Sequence, residues 1–230
     1  MAAFARHIHA CLAVLGGEDF APLFCDLVEA QGIGQIMVFS IAGDHARCLL
    51  SRNFSAAGLG GRLAATYLDG WFRQDPLLPD LCATAPGSVD LRRFEDIAPG
   101  MSAAYRQIFF DAPGLRAKTT LLAVGERLRL FVNLYRTGAE AEVDPDVARL
   151  IGRLALLHFE RVEEGAWPAP LMVLSARERA VCLGILSGRT AEQIAGDLDL
   201  APSTVVTYRK RAYDKLGVGS RAGLFAICRG

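Results

Sequence analysis

Between Leu174 and Ile227 helix starts and stops follow one another so closely that few ways of folding remain. Ser175 and Glu178 form an S-x-x-E box, in which hydroxyl and carboxylate each engage one of the N–H groups that an opening helix leaves unpaired. Gly188 closes that helix, and Thr190 with Gln193 opens another by the same device. The run DLAP over 199–202 turns the chain, and Pro202 suits the first turn of a third helix because its missing N–H would have had no partner there. Gly217 suits the end of that helix, and Ser220 can cap a fourth. No part of 171–230 carries a strand signal. Four short helices in 60 residues make a compact all-α bundle. Its second and third helices have the lengths and spacing of a helix-turn-helix.

Upstream, EEGAWPAPL interrupts the pattern: Gly165, Pro168 and Pro170 stop any helix running into it. The expected division is a first domain over 1–164, a linker over 165–170 and a second domain over 171–230. The first domain mixes helical and strand periods. Residues 3–15, 19–31 and 59–72 are patterned as helices, and DPDVARLIGRLALLHFERVEE (144–164) as a long one with Asp144 as N-cap and Pro145 at its first position. Strands are expected at 35–41 and 46–52 around the turn AGDH. Another pair, 117–124 and 128–135, reads as a hairpin around Gly125-Glu126-Arg127. Helices framing an antiparallel sheet predict an α+β chain: an α/β/α sandwich of the kind used as a sensor, then the all-α helix-turn-helix domain.

Charge divides along the same boundary. The chain has 25 Lys/Arg and 25 Asp/Glu, yet residues 171–230 hold nine basic against five acidic residues and residues 1–170 hold 16 against 20. A basic half within a neutral whole points to a polyanionic partner. The six cysteines include no C-x-x-C pair and no histidine at ligand spacing, so buried, reduced thiols are expected rather than disulfides or metal. No P-loop, G-x-S-x-G elbow or H-E-x-x-H occurs, so no catalytic residue and no cofactor are expected. No apolar run approaches the ~20 residues of a membrane span, and the N-terminus reads as an amphipathic helix rather than a leader.

In the helix that starts at Pro202, Val205, Ala212 and Leu216 fall on one stripe, which should pack on the two preceding helices. Val206, Thr207 and Lys210 share the opposite side, flanked by Arg209 and Arg211, and no carboxylate offsets the basic run before Asp214. In a helix-turn-helix the second helix enters the major groove of DNA, while basic and hydroxyl residues around it grip phosphates. The run from Leu174 to Ile227 closely resembles the LuxR/GerE-type DNA-binding domain. It carries L-S-x-R-E at Leu174–Glu178, E-x-I-A at Glu192–Ala195, S-T-V at Ser203–Val205, K-L-G-V at Lys215–Val218 and the Ser220-Arg221 pair. The resemblance implies a domain that binds double-stranded operator DNA as a homodimer, in the cytoplasm. By position it makes Val206, Thr207 and Lys210 base-facing. It makes Ser203, Thr204, Tyr208, Arg209 and Arg211 backbone contacts, with Lys215 a further candidate. Ala201 departs from the family's capping serine, and Val206 stands where a basic residue is frequent.

Tyr67 to Leu81, YLDGWFRQDPLLPDL, resembles part of the acyl-homoserine-lactone-binding domain of LuxR-type regulators. There an aromatic residue precedes a D-P pair by four positions, and Trp71, Asp75 and Pro76 match. Gly114 to Arg136 resembles that family's two central strands. The resemblance implies a ligand pocket that includes Trp71 and in which Asp75 accepts a hydrogen bond from the ligand amide; Tyr67, one turn before Trp71, either lines the same pocket or packs beside it. The tryptophan that the family places after the D-P pair is absent: the chain reads ATAPGSVDLRRF, whose aromatic, Phe94, has no donor. The expected function is a DNA-binding regulator whose first domain senses a small molecule, either a lactone or another signal. The alternative is a ligand-independent regulator controlled by a partner protein docking on the first domain.

Overall fold

The computed structural model describes residues 2–54, 60–113, 118–136, 143–162 and 167–228. Ala117, Glu163, Glu164, the linker residues 165 and 166, and the stretch 114–117 of the strand resemblance lie outside these.

Two helices open the chain, α1 (Ala2–Ala13) and α2 (Phe20–Glu29), followed by the strands β1 (Gln35–Ala42) and β2 (His45–Asn53). The helix α3 (Gly60–Leu68) stops short of its expected end at Phe72. Gly70 has a positive φ of 106°, which a side chain would resist, and the chain re-forms as a 3-10 turn over Trp71–Gln74. Then come α4 (Leu78–Ala83), β3 (Val89–Arg93), α5 (Phe94–Ile97) and α6 (Ala103–Arg106), the last running into a π-helical turn over Gln107–Asp111. β4 (Lys118–Val124), β5 (Arg129–Tyr135) and α7 (Pro145–Phe159) complete the first part. β3 is an addition to the sequence expectation.

The strands form one antiparallel sheet in the order β2-β1-β5-β4-β3. α7 covers one face, packing on β3, β4 and β5 with Gly152 against Leu121. Its cap is the expected one: the Asp144 carboxylate accepts from the N–H groups of Asp146 and Val147, with Pro145 at the first position. α2 packs beside α7 through Phe20, which stacks on His158 at 3.9 Å between ring centroids. α3 and the segment from Tyr105 to Phe110 cover the other face. With helices on both sides, β1, β4 and β5 are buried on both sides too, and their apolar runs follow from that.

The second part is all helix: a 3-10 turn over Ala169–Val173, then α8 (Ala176–Leu186), α9 (Ala191–Leu198), α10 (Pro202–Leu216) and α11 (Arg221–Cys228). Both capping boxes form, at Ser175/Glu178 and Thr190/Gln193. The chain is therefore α+β, an α/β/α sandwich followed by four helices. The two parts also touch: the 3-10 turn, α10 and α11 all pack on β2, and α11 packs on α3.

Candidate functional site

α10 is held from behind and open in front. Val205, Ala212 and Leu216 are buried as one stripe against α8 and α9. Ser203, Val206, Thr207, Arg209, Lys210 and Arg211 are exposed, with Thr204 and Tyr208 half-buried at the margin. Val206 is 44% exposed, one of three large apolar side chains left in solvent among the described residues. The Thr207 hydroxyl donates to the Ser203 carbonyl at 3.1 Å. Ala201 provides no side-chain cap at the front of α10, where Pro202 has no N–H and the Thr204 N–H donates to the Ala201 carbonyl at 2.9 Å.

Lys215 is oriented differently. Its ammonium donates to the Glu178 carboxylate at 2.7 Å, tying α10 to the start of α8. That same carboxylate accepts from the N–H and hydroxyl of Ser175, at 3.0 and 2.9 Å. Burial alone would raise the Glu178 pKa, but the Lys215 and Ser175 hydrogen bonds outweigh it and hold the group below its usual value. The ammonium that the resemblance offered to DNA is thus engaged inside the domain.

The rear end of α10 meets the sheet. Gly217 closes the helix at a φ of +68°, and a Cβ there would lie 3.2 Å from Gln35 Nε2. The Ser51 hydroxyl donates to the Leu216 carbonyl at 2.7 Å, and Asn53 Nδ2 donates to the Asp214 carbonyl at 3.3 Å. Two of the carbonyls that a helix C-terminus leaves open are thereby satisfied from β2.

The same sheet face holds the aromatic pocket. Register pairs Gln35 with Asn53 and Tyr135, Met37 with Ser51 and Asn133, Tyr135 with Lys118, and Asn133 with Thr120. Cross-strand partners share a face, so these residues lie side by side across four strands. A cavity of about 30 Å³ sits there, lined by Met37, Phe39, Tyr67, Tyr105, Lys118 and Asn133 among others. Asp75 is buried behind it. Its Oδ2 accepts from the hydroxyls of Tyr67 and Tyr105, each at 2.9 Å, and its Oδ1 from the Leu77 N–H at 3.0 Å. The last bond is the turn that Asp before Pro favours. Burial first, and then the Asp75 charge, push both tyrosine pKa values up, so both hydroxyls keep their protons. Trp71 stands apart: it is half-buried, meets Phe109 edge-on at 6.0 Å, and does not line the cavity. Phe94 packs on Phe110 at 5.1 Å.

Residues 172–227 match the family described as bacterial regulatory proteins, luxR family. Over 54 residues the chain is 52% identical to the probable transcriptional regulatory protein NarL of Mycobacterium tuberculosis; the match covers 24% of this chain and a quarter of that regulator's length. A putative HTH-type transcriptional regulator of Aeromonas salmonicida is 30% identical over 151 residues, covering 54% of this chain and 77% of the relative. The chain belongs to the LuxR family of bacterial regulatory proteins. Its matched segment, residues 172–227, holds the four helices with the helix-turn-helix. Among solved structures, SdiA in complex with octanoyl-rac-glycerol aligns over 99% of this chain and 96% of its own, at 16% identity and a TM-score of 0.47.

Of the three ligand-site candidates read from the sequence, Tyr67 and Asp75 are brought together and Trp71 does not line the cavity. Tyr105, Phe109, Lys118, Asn133 and Tyr135 join them at the pocket without having been singled out from sequence. One signal was available: Lys118 and Asn133 interrupt strands otherwise apolar enough to be buried on both faces. No cluster of His, Cys, Asp and Glu among the described residues could hold a metal. Burial pushes the thiols of Cys11 and Cys182 up to about 11 and about 12, which keeps them unreactive. No described helix is long and apolar enough to cross a membrane.

Proposed function

We propose that residues 1–164 form a small-molecule sensor, joined by residues 165–170 to an operator-binding domain over 171–230, and that the chain works in the cytoplasm as a homodimer. Lys210, Val206 and Thr207 read bases on α10, while Ser203, Thr204, Tyr208, Arg209 and Arg211 hold the backbone. The observation that carries the sensing half is the shared sheet face. Met37 lines the pocket, and its cross-strand partner Ser51 holds the last carbonyl of α10. α3, which supplies Tyr67 to the pocket, also packs on α11. A ligand that parts the pocket wall must therefore displace groups that seat the DNA-binding helices, and so change how the two recognition helices of a dimer are spaced.

One observation favours a second reading, a ligand-independent regulator controlled by a partner protein docking on the first domain. The cavity has room for only one or two waters, and Asp75 is already engaged by the protein's own tyrosines. Mass spectrometry of small molecules extracted from purified full-length protein separates the two. A compound at one equivalent per chain is expected for a sensor. Its absence, with no thermal shift from a panel of small molecules, refutes the sensor and leaves the partner-controlled regulator.

A further inference from the structure

The pocket has more hydrogen-bond donors than acceptors. Lys118, at the start of β4, is 8% exposed and lines the cavity. Its Nζ lies 5.7 Å from the centre of the Phe110 ring and 5.9 Å from that of Tyr135, and among the described residues it has no hydrogen-bond acceptor and no carboxylate within 4.0 Å. A buried ammonium whose three donors are unused is costly unless something supplies the missing acceptor. Burial lowers the Lys118 pKa, and the Asp75 charge acts against that without reaching contact. Asp75 does not serve as the acceptor: it forms no hydrogen bond or ion pair with Nζ, and its oxygens are turned to Tyr67, Tyr105 and Leu77. Asn133 adds to the imbalance. Its carbonyl oxygen accepts the Thr120 hydroxyl at 2.9 Å, which leaves its NH2 without an acceptor among the described residues at the same cavity.

A neutral lactone would bring an amide N–H to an aspartate already engaged by three donors, and nothing to neutralise the lysine. An anionic oxygen answers both unmet donors. The rest of the lining sets the shape of the body that carries it. Phe39, Tyr67, Tyr105, Phe109, Phe110 and Tyr135 present ring faces and edges, the surroundings in which a planar ring packs offset or edge-on. At about 30 Å³ the cavity has room for the charged head, and the aromatic wall must part for the ring. Phe109 and Phe110 sit on the π-helical turn Gln107–Asp111, a rare geometry often found where a helix serves a binding site.

We propose that the pocket binds a small aromatic carboxylate, its carboxylate held by the Lys118 ammonium and the Asn133 amide and its ring enclosed by the surrounding aromatic side chains. The proposal rests on the small-molecule-sensor reading given above.

Benzoate, its uncharged analogue benzamide, and N-octanoyl-homoserine lactone serve as probes for calorimetry and thermal unfolding of the full-length protein at neutral pH. Benzoate should raise the melting temperature and bind at least tenfold more tightly than benzamide. Lys118→Met, which keeps the buried stem and removes the charge, should abolish that preference, and Lys118→Arg should retain part of it. Equal binding of benzoate and benzamide to the wild type overturns the proposal, as does a folded Lys118→Met variant that still prefers benzoate. Should Lys118→Met not fold, the wild-type comparison and the Arg variant decide alone. Binding of the lactone without benzoate overturns the carboxylate and leaves the sensor standing. A protein that binds none of the three and yields no extracted compound overturns both.

Discussion

Replacing Lys215 by alanine distinguishes a basic residue that touches DNA from one that holds the domain together. The Glu178 carboxylate is 4% exposed at its side chain and that of Lys215 is 35% exposed. Removing one partner of a fully buried pair costs about 3–5 kcal/mol. Here Ser175 keeps two hydrogen bonds to the carboxylate, and solvent reaching the Lys215 side screens the pair, so a single charge-assisted hydrogen bond of about 2 kcal/mol is the better measure. For a chain of this length that lowers the melting temperature by roughly 4–8 °C. The loss should also depend on pH. Glu178 titrates below its ordinary value of 4.5 in the folded protein, so the stability its pairing provides is complete above that value and disappears as pH falls through the depressed one. The gap between wild type and Lys215→Ala should therefore close in acid. Operator binding gives the second readout. Each phosphate contact contributes about 0.9 to the slope of log affinity against log salt, and Lys215→Ala should leave that slope unchanged. A variant with unaltered melting temperature and a slope smaller by about one would show that Lys215 grips phosphate.

Lys210→Ala, at an exposed position, should weaken operator binding at least tenfold in a fluorescence-anisotropy titration while leaving the melting temperature unchanged; unaltered affinity would count against the docking of α10 in the groove. His158 gives the chain an acid sensitivity of its own. Burial lowers its pKa from 6.5 to about 4, and its Nδ1 accepts the Gly16 N–H at 3.1 Å. The unfolded chain takes up a proton between those two values that the folded chain refuses, so stability should drop by up to about 3 kcal/mol as pH falls from 6.5 towards 4. His158→Gln should flatten that part of a urea-midpoint profile, and an unchanged profile would place the sensitivity elsewhere. The double change Ser51→Ala with Asn53→Ala removes both donors to the end of α10 and should speed amide exchange at 214–218 while leaving the strand core protected. Uniform protection in the variant would show that these bonds do not hold the helix.

The second domain was legible because its signals are local. Capping boxes, Pro202 and Gly217 act within a turn of where they stand, and each appears where the sequence put it. The first domain was legible where strands are buried on both faces and less so elsewhere. β3 was missed because VDLRR is half-exposed at every position and alternates weakly, as an edge strand can. The helix expected to 72 broke at a backbone conformation that only Gly70 tolerates without strain, a feature that periodicity does not register. Trp71 went with it: on a continuing helix it would have followed Tyr67 by one turn, but the break carries it away from the cavity. Lys118 and Asn133 were hidden for a different reason. Their meaning lies in what does not face them, and only the packed aromatic shell reveals it.

Ser51 and Asn53 give the rear of α10 a fixed seat, while its front, at Ala201, has no side-chain cap. On the proposed docking, one helix would answer at its rear to the protein's own sheet and along its exposed side to the DNA. Thermodynamic reciprocity then makes the operator an effector in its own right. Whatever factor a pocket ligand imposes on DNA affinity, saturating DNA must impose the same factor on the ligand. A chain holding its operator and a chain free in solution would then respond to different concentrations of the same signal.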